Sequence, residues 1–250
     1  MNIKGVDIGA GMPKVVVSFS GNSKKMIDEE MEAARRNTSA FDILEIRSDA
    51  FDALSREDHV GMVEYITSHM AGYPIIYTYR TLKEGGKGQK TAAEYESLLA
   101  DVMERCNIDM VDIEFFMYED IIDNLVARAK SKGIGIILSQ HDFQDTPHFD
   151  EMMATYRDML ESGGDILKLA YQPGGGRDVL SILSAVHDAR QQFDCRVVGI
   201  AMGELGKITR VAGGVFGSCL TYGYILHKAA PGQIHAEDLK ENLRLFEEGK

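Results

Sequence analysis

Cysteine is scarce in this 250-residue chain and tryptophan is absent. The three cysteines, Cys106, Cys195 and Cys219, are odd in number, far apart and without a C-x-x-C pair. That excludes a disulfide framework and a zinc ribbon, and it points to reduced thiols in a cytoplasmic setting. Positive charge is in deficit: 27 Lys and Arg against 39 Asp and Glu leave a net charge of -12. Nucleic acid and anionic membrane would repel such a surface, so neither is an expected partner. No apolar stretch approaches the roughly 18 residues needed to cross a bilayer. Asp7 and the glycines around it interrupt any signal-peptide pattern. The seven histidines form no H-x-H or H-E-x-x-H arrangement, so no metal is expected. Linkers and low-complexity tracts are missing too, and one domain over residues 1–250 is the economical reading.

What is present is an alternation. Short apolar runs recur at Val15–Ser20, Asp42–Arg47, Ile75–Arg80, Met110–Glu114, Ile134–Gln140, Ile166–Ala170 and Val197–Met202, with a weaker eighth around Val215–Tyr222. Amphipathic segments separate them: Ser23–Asn37, Ala92–Arg105, Glu119–Lys132, Phe149–Ser162 and Asp178–Gln191, with Ala236–Glu248 at the end. Strand and helix alternating about eight times predict an α/β fold, a (β/α)8 TIM barrel, preceded by a short N-terminal hairpin or cap. An open, doubly wound sheet is the architectural alternative.

Parity along the runs sharpens this, because alternate residues of a strand face opposite sides. One set is apolar: Leu44 and Ile46, Tyr77 and Tyr79, Val111 and Ile113, Ile136 and Leu138, Leu167 and Leu169. The other ends in Glu45 and Arg47, Thr78 and Arg80, Asp112 and Glu114, Ser139 and His141, and Lys168. In a closed barrel these polar groups converge on the C-terminal mouth, where such folds place their sites. Lys168 stands out as a lone cation within Ile166-Leu167-Lys168-Leu169-Ala170. Burial disfavours an ammonium and pushes the amine toward its nucleophilic form. With His141 one repeat upstream, the pair points to imine chemistry with a general acid/base, and activity is expected to fall in acid as His141 protonates, a flat rate from about pH 5 to 8 contradicting that role. The competing reading is that Lys168 closes a buried salt bridge.

Two glycine-rich segments invite a phosphate reading. Glu84 to Thr91 lacks the glycine that a phosphate loop needs at Gln89, so a mobile loop over the mouth is expected instead. Gly174-Gly175-Gly176 reads as a flexible loop after the Lys168 strand. Arg210, after the seventh run, is a fork suited to a carboxylate or phosphate, and Gln233 lies in the loop before the last helix.

Taken in order, the segments resemble type I 3-dehydroquinate dehydratase. They are Gly11-Met12-Pro13-Lys14, Val17-Ser18, Asp42 to Asp49, Tyr79-Arg80-Thr81 with Lys83-Glu84-Gly85-Gly86, and Asp112-Ile113-Glu114. They continue through Ser139 to Phe143 with Thr146-Pro147, Gly164 to Lys168, Arg210 to Gly213, Val215 to Ser218, and Ala230-Pro231-Gly232-Gln233-Ile234. The resemblance implies that Lys168 forms an imine with the ketone of 3-dehydroquinate. It makes His141 the general acid/base and Glu84 its partner. It gives Arg210 and Gln233 the carboxylate, and Ser18, Glu45, Arg47 and Arg80 the ring hydroxyls. It further implies a homodimer that needs neither metal nor organic cofactor.

The chain departs from the familiar pattern at three points. Ala229 stands where many members have serine, Gln144 where some have a second histidine, and Gln140 where asparagine is usual. Two other functions compete with the dehydratase. One is a class I aldolase-like barrel, with the glycines at 174–176 and 213–214 cradling a phosphate. The other is a non-catalytic binding barrel, against which the convergence of titratable groups argues.

Overall fold

The computed structural model describes residues 1–115 and 119–247. Eight parallel strands form the barrel wall: β1 (Lys14–Phe19), β2 (Ile43–Arg47), β3 (Ile75–Thr78), β4 (Met110–Glu114), β5 (Gly135–Asp142), β6 (Ile166–Tyr171), β7 (Arg196–Ala201) and β8 (Leu220–Tyr224). Hydrogen bonding runs in the order β8-β1-β2-β3-β4-β5-β6-β7. A parallel bridge between Val197 and Ser218 joins the two ends. Among the described residues the α-helices are α1 (Lys24–Arg36), α2 (Arg56–His69), α3 (Ala92–Arg105), α4 (Glu119–Ser131), α5 (Phe149–Glu161), α6 (Gly176–Phe193), α7 (Lys207–Phe216) and α8 (Ala236–Leu243). The fold is therefore the (β/α)8 barrel that the alternation predicts. The cap is the two-stranded antiparallel hairpin of Asn2–Ile3 with Val6–Asp7.

The two parity sets separate as expected. Leu44, Ile46, Tyr77, Tyr79, Val111, Ile113, Ile136, Leu138, Leu167 and Leu169 all join the core between wall and helices. A second, inner cluster takes one residue from each strand: Val16, Ile43, Ile76, Met110, Ile137, Ile166, Val198 and Leu220. This dry layer fills the barrel beneath the polar mouth. Ile8, at 1% exposure, seals its lower end from the hairpin side. Because the layer is filled, a polar group one pleat further along each strand can point only up toward the opening.

Three elements differ from the sequence expectation. The eighth strand starts at Leu220, because Val215 and Phe216 finish α7, which stops where Gly217 turns left-handed at φ 115°. Helices α2 and α7 are additional to the segments recognised by periodicity. In α2 the interior Gly61 weakens the signal. Glu248, the end of the last predicted segment, lies outside the described residues.

Candidate active site

All nine residues singled out from the sequence line one pocket at the barrel mouth. Ser18, Glu45, Arg47, Arg80, Glu84, His141, Lys168, Arg210 and Gln233 meet there, with Phe143, Ala170, Ile200, Met202 and Tyr222 as apolar lining, around a small cavity of about 60 Å³. Register explains the convergence. Ser18 sits opposite Glu45, Thr78 opposite Asp112, Glu114 opposite Ser139, and Ser139 opposite Lys168. A larger groove between α3 and α4 lies on the outer helices and gathers none of this chemistry.

Lys168 is 4% exposed. Its Nζ lies 3.1 Å from Asp112 Oδ2 and 4.5 Å from the centre of the Tyr222 ring. The salt bridge that competed with the nucleophile reading is thus present. Burial pulls the Asp112 carboxyl upward, but Arg80, Lys168 and the Ser139 hydroxyl outweigh it and hold it down at about 2. Asp112 therefore stays anionic and acts as a fixed counter-charge.

His141 is placed by the extension of β5 beyond the wall. Its Nδ1 is 2.9 Å from Glu84 Oε2, which leaves Nε2 for the pocket. Burial, reinforced by Arg80, Lys168 and Arg47, drives the imidazole well below its ordinary value. Its protonation is accordingly displaced to more acid pH than that of an ordinary imidazole. Glu84 is pushed up by burial and by Glu114 and Asp112, against the pull of Arg80.

Arg80 is committed to the protein. Its Nη1 donates to Glu84, Glu114 and Ser139 at 3.1, 3.1 and 3.0 Å, and its Nη2 donates to Asp112 at 2.7 Å. Its first task is to gather carboxylates, beyond the hydroxyl-binding role expected of it. Arg47 is gripped on two points by Asp49, through Nε to Oδ1 at 2.9 Å and Nη2 to Oδ2 at 3.0 Å. Glu45 accepts from Ser18 Oγ at 2.5 Å and from Thr78 Oγ1 at 3.0 Å.

Arg210 lies on α7, after the seventh strand as expected, and it has no carboxylate partner among the described residues. It donates to backbone carbonyls, Nη1 to Tyr222 at 3.2 Å and Nη2 to Pro231 at 3.0 Å. Burial alone lowers its guanidinium to about 10, with Tyr222 opposing. Gln233 Oε1 accepts from the backbone N–H of Ala229 at 2.7 Å and of Ala230 at 3.3 Å. The missing serine at 229 is thus answered by backbone, and the amide nitrogen of Gln233 remains for a ligand. Gln140 belongs to the outward set and accepts from Tyr171 Oη at 2.5 Å.

The segment after Glu84 is tied down rather than free. Lys87 N donates to Asp49 and Gln89 N to Asp52, each at 3.1 Å. A Cβ on Gly86 would come within 2.1 Å of the Arg80 carbonyl, so the chain crosses too close for any side chain. The other glycines offer no phosphate cradle. Gly174 N and Gly175 N donate to Asp178 Oδ2 at 2.7 and 3.1 Å, and Gly213-Gly214 lies inside α7 with Gly214 against Pro13. Among the described residues no cluster of His, Cys, Asp and Glu is arranged to hold a metal ion. No described helix is long and apolar enough to cross a membrane. Asp49 and Tyr222 are the site residues that sequence reasoning missed. The Arg47-Ser48-Asp49 spacing was a usable signal for the first.

Comparison with known proteins agrees with this geometry. The sequence profile of the Type I 3-dehydroquinase family matches residues 15–250. The 3-dehydroquinate dehydratase of Alkaliphilus oremlandii is 36% identical over 242 residues, covering 96% of this chain and 94% of that protein. The crystal structure of type I 3-dehydroquinate dehydratase from Clostridium difficile, covalently modified by comenic acid, superposes with a TM-score of 0.91 at 31% identity, covering 98% of this chain and 96% of that one. The 3-dehydroquinate dehydratase of Enterococcus faecalis gives 0.89 at 32% identity, covering 99% and 100%. With its barrel, its buried lysine–histidine mouth and a match that runs almost end to end, the chain belongs to the type I 3-dehydroquinase family.

Proposed function

We propose that this chain is a 3-dehydroquinate dehydratase, a hydro-lyase of the shikimate pathway that works through a lysine imine. The observation that carries the reading is the meeting of three groups in one pocket. They are a buried lysine beside a fixed carboxylate, a neutral histidine with one free nitrogen, and a guanidinium without a counter-anion.

The chemistry follows from these groups. Lys168 Nζ, once deprotonated, adds to the C3 ketone, and loss of water gives a cationic imine. Asp112, anionic and 3.1 Å from Nζ, offsets that positive charge, and the Tyr222 ring face supports it from another side. The iminium draws electrons from the adjacent carbon, so His141 Nε2 can take the C2 proton and leave an enamine. The enamine returns its electrons as the C1–O bond breaks, and the imidazolium hands the proton to the departing hydroxyl, which leaves as water. A second water then hydrolyses the product imine and restores the free amine, for a net loss of one water. Arg210 and the Gln233 amide hold the C1 carboxylate. Ser18, Glu45 and Arg47 lie opposite, where ring hydroxyls need donors and acceptors.

The test is reductive trapping. Incubation with 3-dehydroquinate and borohydride should add one substrate mass at Lys168, mapped by mass spectrometry, and enone absorbance should grow without reductant. Absence of both refutes the reading. A homodimer in the cytoplasm completes the proposal. Three free, buried cysteines suit a reducing compartment, and sedimentation of the purified chain checks the assembly.

A further inference from the structure

The loop that carries Glu84 is fastened at its far end, and Asp52 gathers three donors there. The amides of Lys87, Gly88 and Gln89 alternate between two edges, as in a strand. On one edge Gly88 N donates to the Arg80 carbonyl at 3.1 Å, and Leu82 N donates to the Gly88 carbonyl at 2.8 Å. On the other edge β2 has already ended at Arg47, and the 3-10 turn Ser48–Phe51 takes its place. Asp49 receives Lys87 N, and Asp52, directly after the turn, receives Gln89 N, each at 3.1 Å. Two carboxylates thus stand in for the carbonyls of a missing strand.

Asp52 holds more than that amide. Its Oδ1 accepts from Lys90 Nζ at 2.7 Å and from the Tyr79 hydroxyl, whose oxygen in turn accepts from Lys90 N at 3.3 Å. Tyr79 is fully buried, so Asp52 ties the loop to a fixed point of the core. Gly88 lies flat on that ring, where a Cβ would come within 2.4 Å of Tyr79 Cε1. Burial pulls the Asp52 carboxyl upward, but Lys90, Tyr79 and the Gln89 amide outweigh it and hold it below its ordinary value. It is an anion that grips the loop by backbone and side chain together.

The grip reaches the chemistry through Glu84. The tip of that side chain is held by Arg80 Nη1 at 3.1 Å and meets His141 Nδ1 at 2.9 Å. Its backbone belongs to the turn Leu82–Glu84, closed by Glu84 N and Gly86 N on the Thr81 carbonyl at 3.2 and 2.8 Å. The turn hangs between Thr81, at the end of the wall, and the docked segment 87–90. If that segment lifts, the turn moves with it, and about 1 Å at Glu84 is enough to spoil its alignment with the imidazole.

We propose that Asp52 is a positioning residue of the site: by docking segment 87–90 it sets Glu84 against His141 and keeps the imidazole in one tautomer. The proposal rests on the dehydratase reading for the step that His141 performs, though not for the placement of its ring.

Asp52→Ala removes all three contacts, and Asp52→Asn keeps one acceptor oxygen. Nitrogen NMR of isotope-labelled histidine, with His141 assigned by its absence from the His141→Gln spectrum, reads the tautomer without substrate. Near pH 7 wild type should show His141 with its proton on Nδ1, Asp52→Ala a mixture of both tautomers, and Asp52→Asn a smaller admixture. In turnover of 3-dehydroquinate, Asp52→Ala should lower kcat about threefold or more and leave KM within about twofold, because the groups that bind the substrate stay in place. In a Glu84→Gln background the same change should lower kcat by less than about 1.5-fold, since its route to His141 is already cut. Asp52→Asn carries the same readings should the alanine variant not fold. An unmixed tautomer in the variants, a smaller fall in kcat, or an equal fall in both backgrounds overturns the proposal and leaves Asp52 a stabilising residue of the loop. Tautomers that mix as expected in a protein whose wild type turns over no 3-dehydroquinate sink the dehydratase reading alone.

Discussion

Acid should destabilise this barrel through a residue that takes no part in the chemistry. His59, on α2, is 1% exposed, with Phe51 edge-on at 5.6 Å and the Tyr77 hydroxyl 3.3 Å from its Nε2. Burial, reinforced by Lys90, lowers its imidazole to about 4, whereas the unfolded chain titrates near 6.5. Between those values the unfolded chain holds a proton that the folded chain refuses, so stability falls as pH drops through the interval. The full interval corresponds to about 3 kcal/mol, and by pH 5 about 2 kcal/mol of it is lost. For a domain of this size that lowers the melting temperature by about 4–8 °C. Urea unfolding of wild type and His59→Gln at pH 7 and pH 5 isolates the effect. Constant offsets, including the loss of the Tyr77 contact, cancel in the pH difference, as do the contributions of other groups such as His141. Wild type should lose about 2 kcal/mol more than the variant between the two pH values. Equal losses would show that His59 titrates normally, and the argument from burial would fail.

Three further outcomes follow from the site. The acid limb of kcat/KM should lie below the ordinary imidazole value of about 6.5, because burial and three cations hold His141 neutral; a limb centred at or above that value refutes the assignment of His141 as base. Arg210→Ala should raise KM about ten- to a hundredfold with a smaller change in kcat, and retained affinity in steady-state kinetics would move the carboxylate elsewhere. Asp49→Ala should cost about 2 kcal/mol or more in urea unfolding, since it strips the two-point grip from a partly buried Arg47 and frees the Lys87 turn; a loss under about 1 kcal/mol would show that Arg47 finds another partner.

The barrel was legible because strand parity is a local property. Glu45, Asp112 and Lys168 alternate with apolar neighbours, and closure of the wall does the rest. Partnership was not legible, because it depends on which strands become neighbours and how far each side chain reaches. Arg80 looks like any other mouth residue in sequence, yet it is saturated by three carboxylates from two segments. Lys168 and Asp112 are 56 positions apart and meet across the interior, with β5 between their strands. His59 escaped notice because α2 itself did. Its opening Arg56-Glu57-Asp58 and interior Gly61 mute the periodicity that reveals the other helices. Tyr222 lay in the weakest run, where the α7 boundary blurred the strand.

The charges of the mouth, once paired off, leave a remainder that selects the ligand. Arg47 is matched by Asp49, Arg80 by Asp112, Glu84 and Glu114, and Lys168 shares Asp112. Two groups stay outside this arrangement. Arg210 has no carboxylate, and Glu45 has hydroxyls but no ion pair within 4 Å among the described residues. Leaving a guanidinium buried and uncompensated is costly, and the fall of its pKa to about 10 on burial reflects that cost. A ligand relieves it only by bringing an anion to Arg210. The same ligand must offer hydroxyls toward Glu45 and a carbonyl to Lys168 between them. A phosphate would also satisfy Arg210, but the alanines at 229 and 230 and the occupied amides of Gly174 and Gly175 give its further oxygens no donors. A compact hydroxylated keto acid meets all three demands at once. The pocket therefore discriminates by what its own residues leave unpaired, which is why Arg210 without a partner says more about the substrate than the well-paired Arg80.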